Sequence, residues 1–294
     1  MSVNRQGDRR GIYLRIRVAV LWAAIIALPA SAPATDVNEL IYTGADYHYR
    51  GDLDAAINTF EAAVRLAPAQ EFAHNQLGLL YAKKGQFDRA YNEFSTVVDI
   101  DGRNTFARLW LGILRLNRGE MTPAIDMFRT IIEIDPNHAD AYYFLGTIYY
   151  FRHDAASAIE YLKKARDADS EEAETHYRLA RAFHHLDMIA NATLEYQRAL
   201  EIRPNDSKAL NDLGWIQYNQ GRTEAAISLW RKSLKINSRD RDAISNLAKA
   251  YNDLAWRALE AGNRLEAIGH WNRTLAVHPG NKAAKFYLEK YHRR

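Results

Sequence analysis

The chain has no cysteine among its 294 residues. That excludes disulfide bonds, thiol catalysis, cysteine-ligated metal and lipid attachment through an N-terminal cysteine. Catalytic motifs are missing as well. There is no glycine-rich phosphate loop and no serine nucleophile motif. The histidines form no convincing ligand set. His184 and His185 point about 100° apart on one helix, and no nearby acid joins His184 to His176, eight residues earlier. Glu266 and His270, four residues apart, read as an ordinary helix-surface pair. The expectation is a chain that is not an enzyme and that holds no metal and no cofactor.

A long apolar run is absent too. Val18 to Leu28 is uncharged, but it is well short of the ~20 residues that a spanning helix needs, and Pro29 and Pro33 interrupt its extension. Arg5, Arg9, Arg10, Arg15 and Arg17 precede it, and Ala32-Pro33-Ala34 closes it. A basic stretch, a short apolar core and a small-residue end read as a secretory signal peptide over residues 1–34, cut after Ala34. This reading places the mature chain in the periplasm or outside the cell. The alternative is an N-terminus retained as an inner-membrane anchor.

A charge excess of one sign is likewise missing once that segment is set aside. The formal net charge of +3 comes from the N-terminal arginines, and beyond residue 34 there are 34 Lys and Arg against 35 Asp and Glu. Near-neutrality argues against a nucleic-acid partner. The charge is nonetheless uneven. Residues 35–172 carry 14 basic and 22 acidic side chains, whereas residues 173–294 carry 20 and 13. A basic C-terminal half can steer an acidic partner or surface toward itself. The same asymmetry allows copies of the chain to associate head to tail, which leaves a self-assembling structural protein as a second reading.

What is present is a repeat. A leucine followed by a small residue returns every 34 residues, at Leu77-Gly78, Leu111-Gly112, Leu145-Gly146, Leu179-Ala180 and Leu213-Gly214, with Gly44 in step. Tyr47, Tyr81, Tyr149 and Phe183 follow three residues later. Ala56, Ala90, Ala124, Ala158, Ala192 and Ala226 come twelve after the small residue, and Phe60, Phe94, Phe128, Leu162, Tyr196 and Trp230 four after those. A fixed period of this length means a stack of small identical units. Apolar positions at three- and four-residue spacing on either side of a short polar turn, such as Lys84-Gly85-Gln86, make each unit two helices. Pro68, Pro136 and Pro204 end second helices, because proline lacks the backbone donor and clashes with the preceding turn. Glycine within a helix costs about 1 kcal/mol relative to alanine, so its return implies a compensating close approach of the paired helix, with the alanines as the opposing small surface. The large residues would then fill the gap between successive units.

The frame gives seven repeats, 37–70, 71–104, 105–138, 139–172, 173–206, 207–240 and 241–281. In the seventh, Gly262, Ala267, Trp271 and Pro279 come seven residues late, which is about two helical turns and lengthens the first helix without rotating its apolar face. Residues 282–294 read as a solvating cap helix, as the end of a repeat stack requires. No linker or second domain remains.

This pattern resembles the tetratricopeptide repeat family. The resemblance implies an all-α, right-handed superhelical solenoid of about seven helix-turn-helix repeats, acting as a non-catalytic scaffold that holds a partner peptide or helix in a groove lined by the first helices. Carried over by position, the groove residues are Phe106, Trp110 and Ile113, then Tyr143, Phe144, Thr147, Tyr150 and Phe151, then Tyr177, Arg181 and His184, and finally Trp215 and Tyr218. Trp110, Phe144, Phe151 and Trp215 stand where the family more often has polar residues, which suits an amphipathic or aromatic-rich partner segment. Some members clamp a C-terminal carboxylate with lysine and asparagine on three successive first helices. Here the matching stretch offers Ile41, Ala45, Gln76, Phe106 and Trp110, so that clamp is absent. Repeats two and three are also somewhat similar to periplasmic adaptors of this family, which implies an envelope protein as partner.

Overall fold

A computed structural model describes residues 36–292, and the N-terminal segment read as a signal peptide lies outside them. The described residues form helices joined by short turns, with no strand among them. In chain order the helices are α1 (Val37–Arg50), α2 (Leu53–Leu66), α3 (Glu71–Lys83), α4 (Phe87–Ile100), α5 (Thr105–Asn117) and α6 (Met121–Ile134). They continue with α7 (Ala139–Phe151), α8 (Ala155–Ala168), α9 (Ala173–His185), α10 (Ile189–Ile202), α11 (Ser207–Asn219), α12 (Thr223–Ile236), α13 (Arg241–Glu260), α14 (Arg264–Val277) and α15 (Lys282–His292). The chain divides into two units, one running to Pro136 and holding α1–α6, the other starting at Asn137 and holding α7–α15.

Within each unit the helices pack in sequential pairs, α1 on α2 and α3 on α4 in the first unit, α7 on α8 and α9 on α10 in the second. Each second helix also packs on the next first helix, as α4 does on α5 and α8 on α9. Local signals start and stop the elements. Asp52, Asn104, Asp154, Asp206 and Asp240 accept hydrogen bonds from free amides of the first turns of α2, α5, α8, α11 and α13. Such caps satisfy donors that no helical carbonyl can reach. The turn inside a pair needs one left-handed residue, supplied by Gly85 (φ 74°) and Gly221 (φ 79°), and at the same place in the fourth and fifth pairs by His153 (φ 62°) and Asp187 (φ 56°).

The helical glycines reveal what sets the distance inside a pair. A Cβ on Gly78 would lie 2.6 Å from the Phe94 ring, one on Gly112 2.6 Å from Phe128, one on Gly146 2.5 Å from Leu162, and one on Gly214 2.6 Å from the Trp230 indole. The close approach expected from the sequence is present, but its partner differs. The bulky residue sixteen positions later, rather than an alanine, lies against the glycine, so it fills its own pair and not only the gap to the next. Phe94, Phe128, Leu162 and Trp230 are all sealed from solvent. In the fifth pair Ala180 takes the glycine's position, sixteen residues before Tyr196, and both are buried in one cluster.

A second device recurs three repeats apart. His74 Nδ1 bonds Glu93 Oε2 at 2.7 Å and its Nε2 bonds the Pro68 carbonyl at 3.0 Å; His176 Nδ1 bonds Glu195 Oε2 at 2.6 Å and its Nε2 bonds the Ser170 carbonyl at 3.0 Å. Each imidazole ties the loop before its pair to the second helix of that pair. In both, the two ring nitrogens face oxygens that can only accept. Burial pushes the His176 pKa down, but the hydrogen bonds to Glu195 and Ser170 and the Glu195 charge outweigh it, and the pKa is raised. Glu195 is pushed up by burial and more strongly down by His176 and by Arg166, whose Nη1 donates to Oε1 at 2.8 Å. Arg198 on α10 opposes the charge on His176.

The seventh pair carries its seven extra residues in α13, 20 residues long against 13 in α11. Trp256 on that extension packs edge-on against Trp271 and Tyr287, and α15 lays Ala284 and Leu288 against this cluster. His270 differs from its reading as a surface residue. It is buried, stacked on Tyr251 with centroids 6.3 Å apart, and only its Glu266 neighbour is exposed.

Two outcomes follow from these contacts. Gly78→Ala gains helix propensity of about 1 kcal/mol yet destabilises the protein by about 1 to 3 kcal/mol, because the Phe94 ring cannot withdraw. Ala180→Gly lacks that clash and changes stability by about 1 kcal/mol at most. Denaturant unfolding of the two variants distinguishes them; equal effects would remove the ring contact as the cause. The His176 contact is fully present below the ordinary histidine pKa and is lost as pH rises through the raised folded value. The Glu195 share is lost as pH falls through its depressed folded value. Stability therefore declines as pH rises from the ordinary histidine pKa through the raised folded one, and Glu195→Gln lowers it by about 3 kcal/mol at the acid end of that range while flattening the slope. An unchanged slope in the variant would assign the pH dependence elsewhere.

Candidate functional site

In the first unit, α5 carries Phe106, Trp110 and Ile113. Ile113 is fully buried, and Trp110 is 8% exposed, stacked on Phe94 with centroids 5.6 Å apart and planes within 8°. Phe106, 38% exposed, meets both rings edge-on at 6.2 and 6.5 Å. Trp110 thus differs from an anchor held out to a partner: its ring covers the Phe94 that braces Gly78. Its Nε1 and the Oδ1 of Asn75, on the preceding first helix, are both buried without a hydrogen-bond partner.

In the second unit the first helices are α7, α9, α11 and α13, with α7 against α9 and α11 against α13. Phe144 on α7 is buried edge-on to Tyr143 at 5.3 Å, so it too differs from an exposed anchor. Tyr177 and Thr147 are buried. Tyr143, Tyr150, Arg181, His184, Trp215 and Tyr218 are half-buried, and Phe151 is 39% exposed. Trp215 and Tyr218 stack at 5.9 Å on α11.

Neighbouring first helices meet in one register. The Tyr177 hydroxyl donates to Asp212 Oδ2 at 3.2 Å, Asn246 Nδ2 donates to Asn211 Oδ1 at 3.1 Å, and the Tyr218 hydroxyl donates to Asp253, each pair 35 residues apart. Tyr150 and His185 meet edge-on in the same register, at 6.3 Å. A repeat of 34 places equivalent faces side by side, and the residue that closes the gap is the next one round the neighbouring helix. These contacts make the face a continuous row rather than separate patches.

The row is polar as well as aromatic, and its charges are largely paired. Arg178 Nε donates to Glu174 at 3.1 Å, with its guanidinium 5.7 Å from the Phe151 centroid. Lys249 donates to Asp253 at 3.0 Å and lies 5.1 Å over the Tyr218 ring. Burial pushes the Asp212 pKa up, while Arg181, the hydroxyls of Tyr177 and Tyr196, and His184 work against that rise. Burial drives Tyr177 well above the ordinary tyrosine range, with the Asp212 charge adding to it. Tyr143 is raised by burial too, against the nearby Arg178 charge. His176 does not join His184 here, since it turns into the Glu195 contact. Among the described residues no group of three or more histidine, cysteine, aspartate or glutamate side chains could hold a metal ion.

Sequence reasoning by the 34-residue period missed Glu174, Arg178, Asp212, Asn246, Lys249 and Asp253. A signal was available. Stepping 35 residues from Tyr177, Asn211 and Tyr218 lands on Asp212, Asn246 and Asp253, each a polar partner on the next first helix.

Family models bear directly on this arrangement. Models described as TPR repeat and tetratricopeptide repeat match residues 44–85, 75–139, 111–170, 143–207 and 195–228, a continuous cover from 44 to 228. No curated protein is similar enough to match. Among solved structures, the C-terminal part of a TPR repeat-containing protein from Cytophaga hutchinsonii is 17% identical with a TM-score of 0.65, over 85% of this chain and 98% of that one. A tetratricopeptide repeat protein from Parabacteroides merdae is 16% identical with a TM-score of 0.59, over 87% and 98%. YrrB, described as a TPR protein with an unusual peptide-binding site, is 18% identical with a TM-score of 0.52, over 63% and 96%. At these identities the likeness is one of fold. With the helix pairs, the glycine-to-ring contacts and the unbroken run of matches, the chain belongs to the tetratricopeptide repeat family, whose fold generally serves as a scaffold for protein interaction.

Proposed function

We propose that this chain is a non-catalytic adaptor of the bacterial cell envelope that binds an extended or helical segment of a partner protein on the first-helix face of its second unit. The observation that carries this reading is the row built by α7, α9, α11 and α13. Phe151, Tyr150, Arg181, Trp215 and Tyr218 keep partly exposed surfaces along it while their bases are fixed by neighbours. A preformed face loses little side-chain entropy on binding, so each apolar contact contributes more fully to affinity. Three or four anchors, each worth ~1.5 to 3 kcal/mol, reach micromolar affinity after ordering costs. The peptide-binding site described for YrrB, a protein of the same fold, supports the same use of the scaffold.

Export rests on the N-terminal sequence, in which Arg5 to Arg17 precede Val18–Leu28 and Ala32-Pro33-Ala34. Among the described residues no helix is long and apolar enough to cross a membrane.

Affinity capture from envelope extract tests the binding face. The expected result is one protein retained by the wild-type chain and lost by folded Phe151→Ala/Trp215→Ala; identical capture by both would move recognition off this face. The N-terminus of the protein recovered from bacteria tests export. Intact mass is expected to correspond to a chain starting at Thr35, whereas a full-length chain in the membrane fraction would replace secretion by an anchor.

A further inference from the structure

Arg181 differs from the other cations of the first-helix face. Its guanidinium lies over both the Tyr150 ring of α7 and the Tyr177 ring of its own helix, 5.1 and 5.8 Å from their centroids. Arg178 and Lys249 each donate to a carboxylate. Among the described residues Arg181 has no hydrogen-bond acceptor and no carboxylate within ion-pair distance; its contacts are the two rings and the field of nearby charges. Asp212, whose field it feels most strongly among the acids, is engaged elsewhere. Its Oδ2 accepts from Tyr177 and Tyr196 at 3.2 and 3.3 Å, and its Oδ1 accepts from Asn211 at 3.4 Å. None of the Arg181 nitrogens is among the sealed polar atoms without partners, so each keeps some solvent-accessible surface although the side chain is half-buried.

Five N–H donors in a rigid fork, beside two aromatic rings, complement a carboxylate. The half-buried setting beside the two rings lowers the local dielectric, which strengthens a charge-assisted hydrogen bond made by the guanidinium. The surrounding half of the chain is basic, with 20 Lys and Arg against 13 Asp and Glu in residues 173–294, so an acidic segment is drawn to this part of the surface. Resting on the reading of this face as a partner-binding surface, we propose that Arg181, held over Tyr150 and Tyr177, is the anchor for a carboxylate of the bound protein segment. The carboxylate comes either from an Asp or Glu side chain or from the segment's C-terminus.

Two random decapeptide phage libraries, one displayed with a free C-terminus and one held inside a scaffold loop, selected on the full chain, test this. Binders are then synthesised as free acids and as amides for fluorescence polarisation. The expected binders carry Asp or Glu at a fixed position, or lose affinity on amidation, which tells the two sources apart. Arg181→Gln is expected to weaken them about tenfold or more, Arg181→Lys less, and added salt to weaken wild-type binding. Because Arg181→Gln also leaves Asp212 uncompensated, Arg181→Gln/Asp212→Asn removes both charges. If this double variant stays folded and still fails to bind, Arg181 contacts the ligand; if it recovers wild-type affinity, Arg181 only balances Asp212 and the inference is overturned. Binders sensitive to Phe151→Ala but indifferent to Arg181→Gln overturn the carboxylate anchor and leave the binding face standing. If no binder emerges, or all ignore Phe151→Ala and Trp215→Ala, the face and the anchor fall together.

Discussion

The contact between a glycine on the first helix of a pair and the ring sixteen residues later on the second sets the geometry on which everything else rests. With no side chain at Gly78, Gly112 or Gly214, an aromatic ring lies directly on helix backbone. The interior tolerates neither a void nor an extra methyl group at such a point, so helix separation within a pair is fixed rather than adjustable. Within each unit, pairs of fixed thickness then pack second helix on first, and in the second unit this brings neighbouring first helices into contact. The His74 and His176 bridges work at a different place. They fasten the loop that enters a pair to the second helix of that pair, with each imidazole satisfied at both nitrogens.

Contact between neighbouring first helices turns a repeat into a surface. The contacts of Tyr177 with Asp212, Asn211 with Asn246, and Tyr218 with Asp253 all follow from neighbouring first helices displaced by about one residue relative to the 34-residue period. They fix the polar tips of these side chains against the neighbouring first helix. Most charges along this face are neutralised where they stand, Arg178 by Glu174 and Lys249 by Asp253. In the proposed binding mode, shape, aromatic surface and the few donors left open carry recognition there, rather than a broad field of one sign. In that mode the basic excess of residues 173–294 adds longer-range steering, which salt weakens.

The two units use the same repeat differently. In the first, Trp110 is drawn into the packing around Phe94 and Ile113 is buried, which leaves Phe106 as the exposed aromatic of α5. In the second, Tyr177 and Arg178 are buried in the equivalent row, whereas Tyr150, Arg181, Trp215 and Tyr218 stay half-buried along it. A scaffold of this family gains a binding face where side chains are long enough, and polar enough at the tip, to be held without being swallowed.

The 34-residue spacing of Leu-Gly, alanine and aromatic positions by itself determined that the chain is a series of helix pairs, because only a repeated packing solution needs the same small and large residues at the same places. The Gly262 to Pro279 delay likewise announced the lengthened α13, since seven residues are about two turns and preserve the packed face. Which residue faces each glycine was not legible from spacing, which pointed to the alanine twelve positions on; the crossing of the helices puts the residue sixteen positions on there instead. The same holds for the candidate site. Sequence position put Trp110 and Phe144 beside Phe151 and Trp215 as equivalent aromatics, yet burial separates them, because burial depends on what the neighbouring helices leave uncovered. Asp212, Asn246 and Asp253 escaped notice for the related reason that their partners lie 35 residues away, one step off the period that defined the repeat. Identity at a repeat position is a property of the chain, whereas exposure and pairing are properties of the packed helices.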